Sequence, residues 1–182
     1  MLNVDVFYFI NDGFQNPLFN IIMPFITHLG GFEAMFAICI AVIILASIFK
    51  KRNVRNIAVL CLLSLLIADG IALVLKNLFL EPRPFVALSD VHLLITENDP
   101  NSFPSGHTTS TVAVLGFLIF RYKNKLLRAV LMVCCFLIAF SRIYCGVHYP
   151  FDVVVGAVLG TLSSYFVYKY GDKILVRVGV EK

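Results

Sequence analysis

Eight residues, in three short runs, could do chemistry together. The runs are Lys76-x6-Arg83-Pro84, then Pro104-Ser105-Gly106-His107, then Ser141-Arg142-x5-His148-x3-Asp152. They supply three cations, two imidazoles, one carboxylate and a Ser-Gly turn. Such a set can hold a phosphate, attack it and protonate its leaving group.

Each residue type suits one part of phosphoryl transfer. Ser105 and Gly106 open an apolar stretch, where free backbone N–H groups and the helix dipole favour an anion. Gly106 also lets a ligand come close to the backbone. Lys76, Arg83 and Arg142 would neutralise phosphoryl oxygens, the arginines through paired hydrogen bonds. His148 and Asp152 are four residues apart and share a helical face. The carboxylate can take the Nδ1 proton and leave Nε2 as a nucleophile. In isolation this pair could equally be a local cap. His107 belongs to a different stretch and could protonate the leaving oxygen, or be a plain interfacial histidine. His28 and His92 match no run and read as structural or surface residues. No carboxylates stand at magnesium or zinc spacing, and the cations bring the charge a metal would bring. The expected reaction uses no metal and no cofactor.

The elements that must position these residues are helices in a membrane. Of 182 residues, 59% are apolar and 14% charged, where a soluble domain has about 45–50% apolar. Mean hydropathy is +0.88. A span needs roughly 20 apolar residues. The clear stretches are 32–49, 56–79, 107–120, 126–143 and 150–168. Residues 4–10 and 17–29 are also apolar, interrupted at Asn11-Asp12-Gly13 and followed by Gly30-Gly31. They read as an interfacial helix and a short spanning or re-entrant helix, or as two interfacial helices; the first is preferred. The expected fold is all-α, a single-domain integral membrane bundle over 1–182. It has five clear transmembrane helices and a sixth near the N-terminus. No cleavable signal peptide is expected, because a basic n-region is missing and Asp5 interrupts the first apolar stretch. The five cysteines form no CxxC pair and read as buried small hydrophobes.

Lysine and arginine give the orientation. Lys50, Lys51, Arg52 and Arg55, then Arg121, Lys123, Lys125 and Arg128, then Lys169, Lys173, Arg177 and Lys182 all fall on one face, the expected cytoplasmic side. Only Lys76, Arg83 and Arg142 fall opposite, with the carboxylates Glu33, Glu81, Asp90, Glu97 and Asp99. Outward cations beside two histidines suggest an anion site, covered by the long polar loop 80–103. With the remaining charge spent on a membrane face, the net +4 does not point to nucleic acid. Asp69, seven residues before Lys76, is a costly carboxylate inside a span. It reads as a polar contact within the bundle or a support for Lys76.

The chain resembles the type 2 phosphatidic acid phosphatases, the PAP2 superfamily of membrane lipid phosphatases. That signature is K-x6-R-P, P-S-G-H and S-R-x5-H-x3-D, and every position of it is matched here. The resemblance implies a six-helix bundle with an outward site near the membrane surface. It implies that His148 becomes a phosphohistidine, that Asp152 orients it and that His107 protonates the leaving group. Lys76, Arg83, Ser105, Gly106 and Arg142 would hold the phosphate. The departure is at the N-terminus, where the first span looks short or broken. Small size and a short loop before the second run resemble the bacterial polyprenyl diphosphatases of the family. The expected substrate is therefore a polyprenyl diphosphate such as undecaprenyl diphosphate. Phosphatidylglycerophosphate, phosphatidic acid and lipid A phosphates stay open as alternatives. A phosphate-binding lipid carrier would need the cations but not the His148–Asp152 pair. A related family of soluble haloperoxidases binds vanadate in such a site, and the apolar spans count against it. The expected partners are a lipid phosphate and the bilayer; the oligomeric state stays open.

Overall fold

The computed structural model describes residues 2–177. Apolar stretches become helices because lipid offers backbone groups no partner, and a helix pairs them within its own segment. The described residues form α1 (Leu2–Asn11), α2 (Pro17–Leu29), α3 (Phe32–Ile48), α4 (Arg52–Phe79), α5 (Pro84–Ala87), α6 (Gly106–Arg121), α7 (Lys125–Tyr144) and α8 (Pro150–Arg177). Local signals set the ends. Asn16 accepts a hydrogen bond from the Phe19 N–H at 2.9 Å, with Pro17 in the first turn. Asn124 caps α7 through the Leu127 N–H at 3.0 Å. Ser105 caps α6, and Pro150 opens α8.

Helices α4, α6 and α8 form the centre. Leu60, Leu65, Phe117 and Val167 are almost wholly buried between them. Glycines let α8 lie close on α6. A Cβ at Gly156 would stand 2.7 Å from the Ser105 carbonyl oxygen, and one at Gly160 2.8 Å from the Ala113 nitrogen. Small residues four apart allow such backbone contact between membrane helices. A polar seam adds to it. Ser64 donates to the Ala113 carbonyl at 2.8 Å, and Ser163 donates to the Ser64 carbonyl at 2.7 Å. The outside is apolar: Leu73, Leu126, Phe136, Val154 and Leu162 are each more than half exposed. Water would make that surface a liability; lipid tails match it.

The protein is a multi-pass membrane protein. By length and composition α4, α7 and α8 can each cross a bilayer. Helices α2 and α3 pass that test only as a pair, bent by 55° at Gly30-Gly31. Against the five clear spans and the sixth expected, length and composition of the described helices support three, or four if the bent pair is one span. Helix α6 has 16 residues, about 24 Å at 1.5 Å per residue, against a hydrocarbon layer of about 30 Å. The shortfall has a local reason: α6 begins at the Ser-Gly turn of the site. Helix α8 runs nine residues past the expected end, to Arg177. At the far end Arg121 meets Asp172 at 3.0 Å, tying α6 to α8 among the other cations. Of those cations, Lys182 lies outside the described residues. Cys39, Cys61 and Cys145 are buried, while Cys134 and Cys135 are half-buried on α7.

Candidate active site

The site is built where four helix ends and one loop meet. Lys76 comes from the last turn of α4, Gly106 and His107 from the first turn of α6, and Arg142 from the last turn of α7. His148 stands in the short link from α7 to α8, and Asp152 in the first turn of α8. Arg83 precedes α5. The structure thus brings all three runs to one place.

His148 is 1% exposed and its partners fix its proton. Nδ1 lies 3.3 Å from Asp152 Oδ2. Nε2 lies 3.2 Å from Arg83 Nη1. A guanidinium can only donate, so Nε2 carries the lone pair and Nδ1 the proton. Burial, then the charges of Arg142, Arg83 and Lys76, hold this imidazole well below its usual 6.5 and keep it neutral. Asp152 Oδ2 also accepts the Tyr149 N–H at 2.9 Å and a close hydrogen bond from Ser102 Oγ. Its other oxygen, Oδ1, is buried without a partner among the described residues.

Arg83 is held on three sides. Nε donates to the Asp99 carbonyl at 2.6 Å and Nη1 to the Val147 carbonyl at 3.0 Å. Nη2 stands 3.7 Å from Glu97 Oε2. Arg142 is fully buried. It donates to Thr27 Oγ1 at 2.8 Å and makes a close ion pair with Glu97 Oε1. Lys76 Nζ meets Asp99 Oδ2 at 2.7 Å. Burial works to raise the Glu97 carboxyl, but Arg142 and Arg83 outweigh it and hold it below the usual range. Lys76 and Arg83 do the same to Asp99. Both carboxylates are anions lying where the cations would otherwise face a ligand.

Gly106 and His107 line a cavity of about 540 Å³. Apart from its chain neighbours and its own helix backbone, no described residue lies within 4 Å of where a Gly106 Cβ would stand, so that side is open to a ligand. Ser105 is turned away. It is fully buried, and its Oγ accepts from the Thr108 N–H and lies 3.0 Å from Thr108 Oγ1. It shapes the turn and does not line the cavity. His107 does line it, with Nε2 3.2 Å from where a Gly31 Cβ would stand. Lys76, Arg83, Glu97, Asp99 and His148 share the polar end; Phe32, Leu66 and Leu73 line the apolar remainder. Asp69 lies among these, its Oδ1 accepting from Ser110 Oγ at 2.8 Å. That is the contact within the bundle; no ion pair links Asp69 to Lys76 among the described residues. His92 binds the turn after α1, with Nε2 3.1 Å from Asp12 Oδ1, and His28 is exposed. Neither enters the polar end.

Four residues surround the set: two, Ser102 and Thr27, that sequence reasoning missed, and two, Glu97 and Asp99, that it placed on the outward side without a role in the site. Ser102 and Thr27 hold Asp152 and Arg142, and Glu97 and Asp99 cover the cations. The only available signal was charge balance: outward cations require anions, and the loop between the first two runs carries them.

A helical membrane bundle with a neutral, oriented imidazole among buried cations defines a class of phosphoryl-transfer protein. The chain belongs to the PAP2 superfamily: the family model matches residues 57–175. It is 32% identical over 174 residues to the bacitracin transport permease protein BcrC of Bacillus licheniformis, covering 95% of this chain and 82% of that one. It is 31% identical to the undecaprenyl-diphosphatase BcrC of Bacillus subtilis, over 94% of this chain and 85% of that one. The crystal structure of a transmembrane PAP2-type phosphatidylglycerolphosphate phosphatase from Bacillus subtilis superposes with a TM-score of 0.80. The identity there is 26%, and 95% of this chain and 86% of that chain are covered.

Proposed function

We propose that the protein is a membrane lipid phosphatase that hydrolyses a polyprenyl diphosphate, undecaprenyl diphosphate above all, to the monophosphate and phosphate. The observation that carries this reading is His148, neutral and oriented by Asp152, with its lone pair held by Arg83 at the edge of a cationic cavity that continues along a largely apolar wall. A lipid phosphate matches both ends of that cavity.

The residues divide the work as follows. The phosphoryl group displaces Glu97 and takes hydrogen bonds from Arg83 and Arg142, beside Lys76 and the free backbone at Gly106. Arg83 turns from His148 Nε2 to a phosphoryl oxygen. Nε2 then attacks phosphorus as the P–O bond to the leaving group breaks, and His107 gives that oxygen its proton. Asp152 stabilises the positive charge that grows on the ring. A water then attacks the phosphohistidine, His107 takes its proton, the P–N bond breaks and phosphate leaves. Ser105 serves by shaping the turn that presents Gly106. Lysine and arginine offset the phosphate charge throughout. The site faces outward in this reading, because the remaining described cations gather at the other end of the bundle. The bundle would have five spans: the bent pair α2–α3 counted as one, then α4, α6, α7 and α8.

Phosphatidylglycerophosphate is the second reading, favoured by the likeness to the Bacillus subtilis phosphatase structure. A lipid carrier would need the cations alone and has no use for a hydrogen-bonded His148–Asp152 pair. One assay separates these: phosphate release in detergent and excess chelator from a panel of polyprenyl and glycerolipid phosphates. Polyprenyl diphosphate should turn over fastest, and His148→Ala should abolish release while the protein still folds. Turnover of glycerolipid phosphates alone would overturn the substrate; near-normal turnover by His148→Ala would overturn the nucleophile.

A further inference from the structure

Resting on the reading of His107 as the proton donor, we propose that Glu33 is its positioning residue, which orients and stabilises the protonated ring. The two histidines differ in their partners. His148 has Asp152, whereas His107 lines the cavity and makes no hydrogen bond among the described residues. The bend between α2 and α3 brings a carboxylate to it. Thr111 is fully buried on α6, one turn after His107 and on the same face. Its Oγ1 donates to the Gly30 carbonyl at 3.2 Å and pins the bend to that face. Two glycines allow this closeness. A Cβ at Gly30 would stand 2.8 Å from Thr111 Oγ1, and one at Gly31 3.2 Å from His107 Nε2. Glu33 follows in the first turn of α3, with Oε2 3.5 Å from that same Gly31 point. Imidazole and carboxylate thus flank one glycine. No direct hydrogen bond joins them among the described residues, and one water can bridge such a gap.

The other charges around the ring are already engaged. Arg142, Arg83 and His28 bear on it, and Glu97 opposes them. In the proposed reaction Glu97 gives way to the phosphoryl group. Asp99 pairs with Lys76, and Asp69 on α4 takes the Ser110 hydroxyl. Glu33 has no cation partner among the described residues, so it stays beside His107 when substrate is bound. A carboxylate near an imidazole favours the charged ring, and the charged ring is the form that gives a proton to the leaving oxygen. The first turn of a helix suits a carboxylate in any case, so chemistry has to be read beside stability.

The test uses purified protein in detergent and two aryl phosphates, with thermal melts alongside. The leaving group of 4-nitrophenyl phosphate departs as its anion, whereas that of phenyl phosphate needs a proton. Because kcat/KM covers only the steps up to release of the phenol, it reads the donor alone. Glu33→Gln should lower kcat/KM for phenyl phosphate about tenfold or more, a share of the roughly 100- to 10,000-fold of general acid catalysis. For 4-nitrophenyl phosphate the loss should stay below about threefold. On polyprenyl diphosphate the alkaline limb of kcat/KM should move to lower pH, since the ring loses a neighbouring carboxylate. Glu33→Asp should restore part of both effects. Thr111→Val frees the bend and should give the same selective loss in smaller measure. Where the aryl phosphates turn over too slowly to compare, the alkaline limb decides. Equal losses on both aryl phosphates with an unmoved limb would overturn the inference and leave Glu33 a structural residue. A limb moved by Asp69→Asn and not by Glu33→Gln would overturn it too. His107→Gln is measured beside them. If it also loses both substrates equally, the donor reading itself fails; if it is selective and Glu33→Gln is not, only the role of Glu33 fails.

Discussion

Ser102→Ala should separate orientation from binding. Ser102 is fully buried two residues before the Pro-Ser-Gly-His run, and its hydroxyl donates to Asp152 Oδ2 and lies 3.4 Å from His148 Nδ1. Asp152 is itself fully buried, and Oδ2 takes all the contacts, since Oδ1 has none among the described residues. Removing one of three donors from a buried carboxylate costs about 1.5–3 kcal/mol, the range for hydrogen bonds to charged groups. The remaining donors are the Tyr149 N–H and His148 Nδ1, so the carboxylate can swing about the backbone contact and carry the ring with it. If about 1.4 kcal/mol of this cost reaches the transition state, kcat falls about tenfold. KM should hardly change, because Ser102 does not line the cavity. The assay is phosphate release from a lipid diphosphate in detergent, with kcat and KM measured separately and a thermal melt beside them. An unchanged kcat would refute the reasoning. A rise in KM at constant kcat would do so too, because Ser102 would then be a phosphate ligand.

Four further outcomes are expected. Because folding depresses the His148 pKa, the unfolded chain binds the extra proton below about pH 6.5. The stability owed to His148 is therefore full above about pH 6.5 and is lost as pH falls toward the folded value. The acid limb of kcat/KM should lie well below 6.5, and a nucleophile limb above 6.5 would contradict the neutral ring. Thr27→Val removes the partner of Arg142 Nη1 at 2.8 Å and should weaken vanadate inhibition about three- to tenfold, with no loss if Arg142 is held by Glu97 alone. Gly160→Ala puts a Cβ 2.8 Å from backbone atoms of α6 and should cost about 1–3 kcal/mol, read as a lower melting temperature. Gly70→Ala, with nothing within 4 Å of its Cβ, should melt unchanged. In a chain freed of its own cysteines, a cysteine at Ser89 should react with an impermeant thiol reagent outside the cell and one at Asn53 should not. Reversed labelling would put the site in the cytoplasm.

Local chemistry was legible in the sequence. His148 and Asp152 are close in the chain, so their pairing was expected; but His148 stands in the link before α8, and the turn into that helix, not a shared helical face, puts the carboxylate against the ring. Helix starts at Ser105 and Pro150 follow from residues beside them, and the membrane class follows from composition. The gathering of lysine and arginine at one end also needed no coordinates, because charge next to lipid is costly wherever the helices pack. Other features came only with the tertiary structure, because they depend on segments far apart in the chain. Arg142 is held by Thr27, 115 residues away on a helix whose span was ambiguous. Asp152 is held by Ser102, 50 residues earlier in a loop with no periodicity to read. Glu97 and Asp99 looked like loop charges, and only closure of the loop put them on the cations. Ser105 reads as a phosphate ligand in the sequence, and only the structure shows it buried by the packing of α8 on α6, with its hydroxyl capping α6. Spacing along a helix fixes which side chains are neighbours within a turn. What fills a cavity between helices depends on how the whole bundle closes.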